Sequence, residues 1–263
     1  MLYMILVAWV WVMTVTTLTI LLWRATPRVA EAPLLDLVLS LMTWVPWVAA
    51  GIWQGWPGFF GCLIGQIVAL QTFILIHEMT SPRPCGSIRK TLDKFVGPTR
   101  NHLGLWVTVP ALPAFIFLRF SEMFLYPLLV KTLNFPHYKQ SEWVNVSRQK
   151  FEGLIGHDLI WCLYCDWMTG VYSLGAEMLR SVESFWCPIK FYPGKKCENC
   201  RITFPDHDVW VPHDGSMKDV EAALEEHYSP DPDSPRSWWG HPERAEAADG
   251  APQAEAEEKK ATD

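Results

Sequence analysis

The chain begins with twenty-three residues that include no Asp, Glu, Lys or Arg, and the rest lacks most of the signatures that announce a soluble enzyme. It has no glycine-rich phosphate loop, no Gly-x-Ser-x-Gly elbow and no His-Glu-x-x-His. That removes the sequence grounds for phosphate-loop, hydrolase-elbow and zincin chemistry. Neither Cys-x-x-Cys is followed by His, so covalent haem attachment is not supported. The histidines do not form the several paired boxes of membrane di-iron oxygenases, and no basic stripe with interleaved aromatics points to nucleic acid.

What charge there is lies unevenly. The formal net charge is −6, but residues 214–263 carry −9 and the remainder +3, a mildly basic body of the kind that faces anionic lipid. Half of the 263 residues are apolar and fifteen are Trp, a residue enriched where lipid meets water. Leu2 to Trp23 is long enough to cross a bilayer. It has no charged leader, so it reads as an uncleaved span. Arg24 and Arg28 place its far end in the cytoplasm and the start of the chain outside. Leu34 to Trp53 and Phe59 to Ile76 make second and third spans, joined by the tight uncharged turn Gly55 to Gly58. Gly61 and Gly65 form a small-x-x-x-small pair that permits close helix contact. Gln66 and Gln71 should face protein rather than lipid.

Thr80 to Gly104 sets Arg83, Arg89, Lys90, Lys94 and Arg100 against a single Asp93 and reads as a cytoplasmic loop. Leu105 to Val130 is apolar but contains Pro110, Pro113, Pro127 and the Arg119 to Glu122 stretch. A central Arg costs roughly 2.5 to 3.5 kcal/mol on insertion scales. A re-entrant or in-plane segment is therefore preferred to a fourth crossing, which requires Arg119 to snorkel or to pair with Glu122 on the next turn.

Gly156 to Cys200 holds five of the seven cysteines: the pairs Cys162/Cys165 and Cys197/Cys200, with Cys187 between them. Each Cys-x-x-Cys lets two thiolates converge on one ion, and two pairs supply the four sulfurs of a tetrahedral zinc or iron site. The competing readings are a redox dithiol or disulfide, and buried thiols without a metal. Thirty-one residues separate the pairs, near the spacing of rubredoxins. However, Asp166 and Arg201 stand where glycines follow the rubredoxin knuckles, and the middle reads as helix. Apolar residues Leu174, Met178, Val182 and Phe185 recur at helical steps, and Pro188 stops that helix near Cys187.

If the first pair is helical, Asp158, Cys162, Cys165, Asp166 and Thr169 share one face, with His157 at its edge. That makes His157, Asp158 and Asp166 candidate catalytic groups beside the thiols. Cys162, Cys165, Cys187, Cys197 and Cys200 are the candidate metal ligands. The bland reading of the stripe is a solvated helix face. Two lesser clusters are Asp206-His207-Asp208 with His213, and His77-Glu78 with His102; a polar loop and an interfacial span end are their ordinary explanations.

The expected fold is mainly α. It comprises a membrane anchor over residues 1–130 (three transmembrane helices plus a re-entrant or fourth span), a small Cys-rich metal-binding domain over 131–213, and a disordered acidic tail over 214–263. Trp238-Trp239 is a candidate docking motif within that tail. The expected role is a subunit, assembly factor or electron carrier of a membrane complex, with lipid and other membrane subunits as partners. The Cys-rich part is expected in the cytoplasm, at the inner or plasma membrane in a bacterium. The alternatives are a surface enzyme acting on a lipid or quinone through His157, Asp158, Cys162 and Asp166, and a thiol–disulfide redox protein.

Overall fold

The structure, a computed structural model, describes residues 1–81, 86–133, 135–151, 153–192 and 210–227. Among these the chain is mainly helical, with two isolated β-bridges and no strand. Helix α1 (Leu2–Ala25) has no internal Gly or Pro, and in lipid a helix satisfies its backbone within the segment. It is followed by α2 (Leu34–Met42) and α3 (Trp44–Thr80).

Helix α3 doubles back at Gly55, whose φ of 62° and ψ of −152° only glycine adopts readily. Trp47 then meets Phe59 at 6.3 Å between ring centroids. The Gln66 side chain donates to the carbonyls of Met42 and Thr43 at 3.0 Å each and accepts from the Trp47 indole. The expected turn and the protein-facing Gln66 are both present. Helix α1 runs antiparallel to the 34–54 arm, with Trp11 Nε1 donating to Leu41 O at 2.8 Å and Tyr3 at 6.4 Å from Trp53. It runs parallel to the returning arm, where Trp9 Nε1 donates to Thr72 Oγ1 at 3.1 Å. Gly61 and Gly65 lie against Met4 and Ala8 of α1, so the small-residue pair is used as expected. Met4, Ala8, Ala50 and Cys62 form the buried seam of this three-arm layer, with Trp47 packed on it.

Helices α4 (Ile88–Val96) and α5 (Pro98–Thr108) follow, then a 3-10 turn (Val109–Ala111), α6 (Leu112–Phe120), a π turn (Ser121–Leu125) and α7 (Tyr126–Leu133). Leu2–Leu22, Leu34–Thr80 and Pro98–Leu133 are long and apolar enough to cross a membrane. A span-length helical stretch thus stands where a re-entrant piece was preferred. Pro110 falls in the 3-10 turn, Pro113 follows two residues after it and Pro127 two residues after the π turn, where the regular helical hydrogen-bond spacing is already changed. Arg119 and Glu122 are 4 % and 1 % exposed and form an ion pair at 2.8 Å, the pairing a crossing requires.

The remaining helices are the single turn α8 (Gln140–Trp143), α9 (Gly156–Trp186) and α10 (Met217–His227). The chain forms two compact units interleaved in sequence. The first holds Met1–Phe115 and Gln140–Val171. In it, the segment after α1 pairs with the one after α8, Ala32 N donating to Val144 O and Val146 N to Ala30 O, both at 2.9 Å. The second contains 116–139 and, among the described residues, 172–192 and 210–227. There Phe135 lies against Phe185 and Trp186, and Tyr138 hydrogen-bonds Ser181 at 3.0 Å. Buried Trp210 packs with Phe191, Ala223 and Leu224. The last two belong to α10, which corrects the expectation of disorder from residue 214: Ser216 and Asp219 cap this helix, and Val220 is buried. Residues 228–263, including Trp238-Trp239, lie outside the described residues.

Candidate functional site

The first four turns of α9 carry the candidate stripe and belong wholly to the first unit. The helix starts where α3 ends. Gly156 N donates to His77 Nδ1 at 2.9 Å and His157 N to Glu78 Oε1 at 3.3 Å, so two orphan N–H groups of α9 find acceptors on the last turn of α3. Gly156 has φ 52° and the Glu78 side chain packed against it, which leaves no room for a Cβ. The two polar clusters read separately in the sequence, His77-Glu78 and His157-Asp158, are therefore neighbours.

Asp158 reaches across to α4. Its Oδ2 accepts from Ser87 Oγ at 2.8 Å and Ile88 N at 2.9 Å, and its Oδ1 from Arg89 N at 2.9 Å. Ser87, the N-cap of α4, accepts from Lys90 N at 3.3 Å, and Asp158 adds a carboxylate from a distant helix at the positive end of α4, satisfying two more of its free N–H groups. Asp166 does the same two turns later. Its Oδ2 accepts from Ser147 N at 2.7 Å and Arg148 N at 2.9 Å, at the start of the 3-10 turn Arg148–Lys150. Both carboxylates proposed as acid or base hold backbone in place.

His157 is 6 % exposed, and neither ring nitrogen has a hydrogen-bond partner among the described residues. Its ring lies 6.4 Å from that of His102, whose Nδ1 is also buried and unpartnered. Trp161 and Trp106 complete the walls at 6.0 Å and 6.2 Å from His157 and His102 respectively. Burial holds the His157 imidazole below its ordinary pKa; Arg89 and His102 act the same way, and Asp158 and Glu78 oppose them. The arrangement keeps His157 neutral, able to accept a proton or bind a ligand. The sequence singles out His102 only as an interfacial residue, and nothing in the spacing joins it to His157.

Cys162 and Cys165 are both part-buried and unbridged. They sit three residues apart, about 4.5 Å of helical rise. Burial raises the Cys162 thiol above its ordinary pKa, opposed by Arg148 and reinforced by Asp158, Cys165 and Asp166. Cys187 is unbridged and exposed just past the end of α9. Cys197, Cys200, His207 and the two aspartates beside it lie outside the described residues; His213 stacks edge-on with Tyr192 at 4.9 Å. Among the described residues no three His, Cys, Asp or Glu side chains are gathered closely enough to hold an ion. Comparison with protein-family models, with curated proteins and with solved structures finds no match.

Proposed function

We propose that this chain is an integral membrane metalloprotein in which Cys162 and Cys165, completed by Cys197 and Cys200, bind zinc or iron, and that it serves as a subunit, assembly factor or electron carrier of a membrane complex. The observation behind this reading is which groups of the α9 stripe are left available. Asp158 and Asp166 are occupied by backbone N–H groups, whereas the two thiols are unbridged and one helical turn apart. Thiolates suit both zinc and iron, and a cation lowers the thiol pKa that burial raises. Cys187 is set apart, because α9 continues to Trp186 before that residue is reached. The thiols face the cytoplasm: the basic residues after α1 and before α5 mark that side by the positive-inside tendency.

Metal analysis of the purified full chain, with a visible spectrum, tests this. One zinc per chain, lost in both Cys162→Ser and Cys197→Ser, supports a structural site; charge-transfer bands support iron and electron transfer. Metal-free protein with a titratable dithiol potential overturns the reading in favour of a thiol redox protein. A second reading, an enzyme acting on a lipid or quinone, is favoured by the buried unpartnered His157 beside the end of α3. Its mark is loss of turnover in His157→Asn with metal content unchanged.

A further inference from the structure

Helix α4 differs from the apolar helices on either side of it. Ile88, Leu92, Phe95 and Val96 recur at four, seven and eight residues, a single helical face. All four are exposed, Phe95 at 79 %. The opposite face carries Lys90 and Lys94, both exposed, with half-exposed Arg89 at its edge and exposed Arg100 just beyond in α5. The one acid, Asp93, is turned towards α5 and accepts from Asn101 Nδ2 at 2.8 Å. An open hollow between α4 and α5 is lined by Phe95, Val96, Arg100, Asn101, Gly104 and Leu105: an apolar floor with a guanidinium at its rim.

Position decides what such a helix meets. It lies between two stretches apolar enough to cross a membrane, the one ending at Thr80 and the one beginning at Pro98. Seven residues separate Thr80 from Ile88, and only Gly97 separates α4 from α5. A short helix held at that level, with a wide apolar face and a cationic one, is built to lie in the headgroup region rather than cross it. We propose that α4 lies in the plane of the membrane surface and docks on anionic phospholipid. Its apolar face sinks among the acyl chains, and Lys90, Lys94 and Arg100 engage the phosphates. The Asp158 bonds to Ser87, Ile88 and Arg89 hold the other end of the helix to α9.

Hydrogen–deuterium exchange of the full chain tests this in nanodiscs of phosphatidylcholine alone and of phosphatidylcholine with phosphatidylglycerol. Amides of 88–96 are expected to exchange more slowly in the anionic discs. Each cation near an anionic surface contributes a factor of roughly five, so Lys90→Gln with Lys94→Gln should remove a factor of roughly 25 of the difference. The buried seam of α1 and α3 should exchange alike in both discs and both proteins, showing that the variant folds. Equal exchange of 88–96 in both lipids overturns the proposal, as does a difference that survives the double substitution; either result leaves the apolar face to a protein partner. Metal content plays no part in the outcome.

Discussion

Replacing Asp158 separates a structural carboxylate from a catalytic one. Its side chain is 12 % exposed and accepts three hydrogen bonds from Ser87 and the first turn of α4, at 2.8 to 2.9 Å. Hydrogen bonds to a charged group contribute about 1.5 to 3 kcal/mol each when buried, while the Ser87 cap on Lys90 N stays in place. Ile88 is half exposed, so water replaces part of what is lost. Asp158→Ala should therefore cost about 2 to 4 kcal/mol. Asp158→Asn, which keeps one acceptor oxygen, should cost about half of that. The assay is chemical unfolding of the full chain in nanodiscs, followed by circular dichroism, with amide exchange at 88–90 as the local readout. Faster exchange at those amides together with a lower unfolding midpoint is the expected result. An unchanged midpoint and unchanged exchange, in a variant whose only defect is lost activity, would refute the staple and restore Asp158 as a candidate acid or base.

The α1–α3 seam gives a matched pair. A Cβ at Gly65 would lie 2.5 Å from Ile5 O and 2.8 Å from the Ala8 Cβ, so Gly65→Ala should cost about 1 to 3 kcal/mol by overpacking. A Cβ at Gly104 meets nothing within 4 Å, so Gly104→Ala should gain up to about 1 kcal/mol of helix propensity; midpoints that move in the same direction would remove the contact. His157 sets a pH dependence. Its folded pKa is lowered, chiefly by burial, so below the ordinary imidazole value of about 6.5 the unfolded chain binds more protons and stability falls with pH. Unfolding midpoints from pH 8 to 5 should drop more steeply for the wild type than for His157→Asn, and parallel curves would count against a buried neutral imidazole.

The long apolar helices, able to cross a membrane by length and composition, were legible because uninterrupted apolarity, with glycine where helices touch or turn, is displayed directly in sequence. Gly55, Gly61, Gly65 and Gln66 all do what their types suggest. The prolines of 105–130 predict a break in the helix, whereas each falls in or within two residues of a 3-10 or π turn inside one helical stretch. In α10, the Ser216-x-x-Asp219 cap and the Val220, Ala223 and Leu224 spacing were visible, but the acidic composition outweighed them. The site was harder. A helix cap is normally read within three residues of the helix start, as Ser87 of α4 can be, whereas the further acceptors at that end come from Asp158, some seventy residues downstream. The rubredoxin-like spacing carries no geometry of its own. A count that suits a loop-rich knuckle has a different reach when Asp166 to Trp186 is helix rising about 1.5 Å per residue.

These placements bear on how the thiols work. Three sets of bonds fix the start of α9: His77 and Glu78 at its first residues, Asp158 to α4, and Asp166 to the turn at Ser147 and Arg148. Cys162 and Cys165 lie between the two aspartates, on a stretch of helix that cannot shift without breaking one of those contacts. Under the proposed metal-binding role, a donor pair on a helix tethered at both ends would lose little freedom on taking up an ion. The carboxylates of the stripe hold backbone at both ends of this stretch, and the two unbridged thiols lie between them.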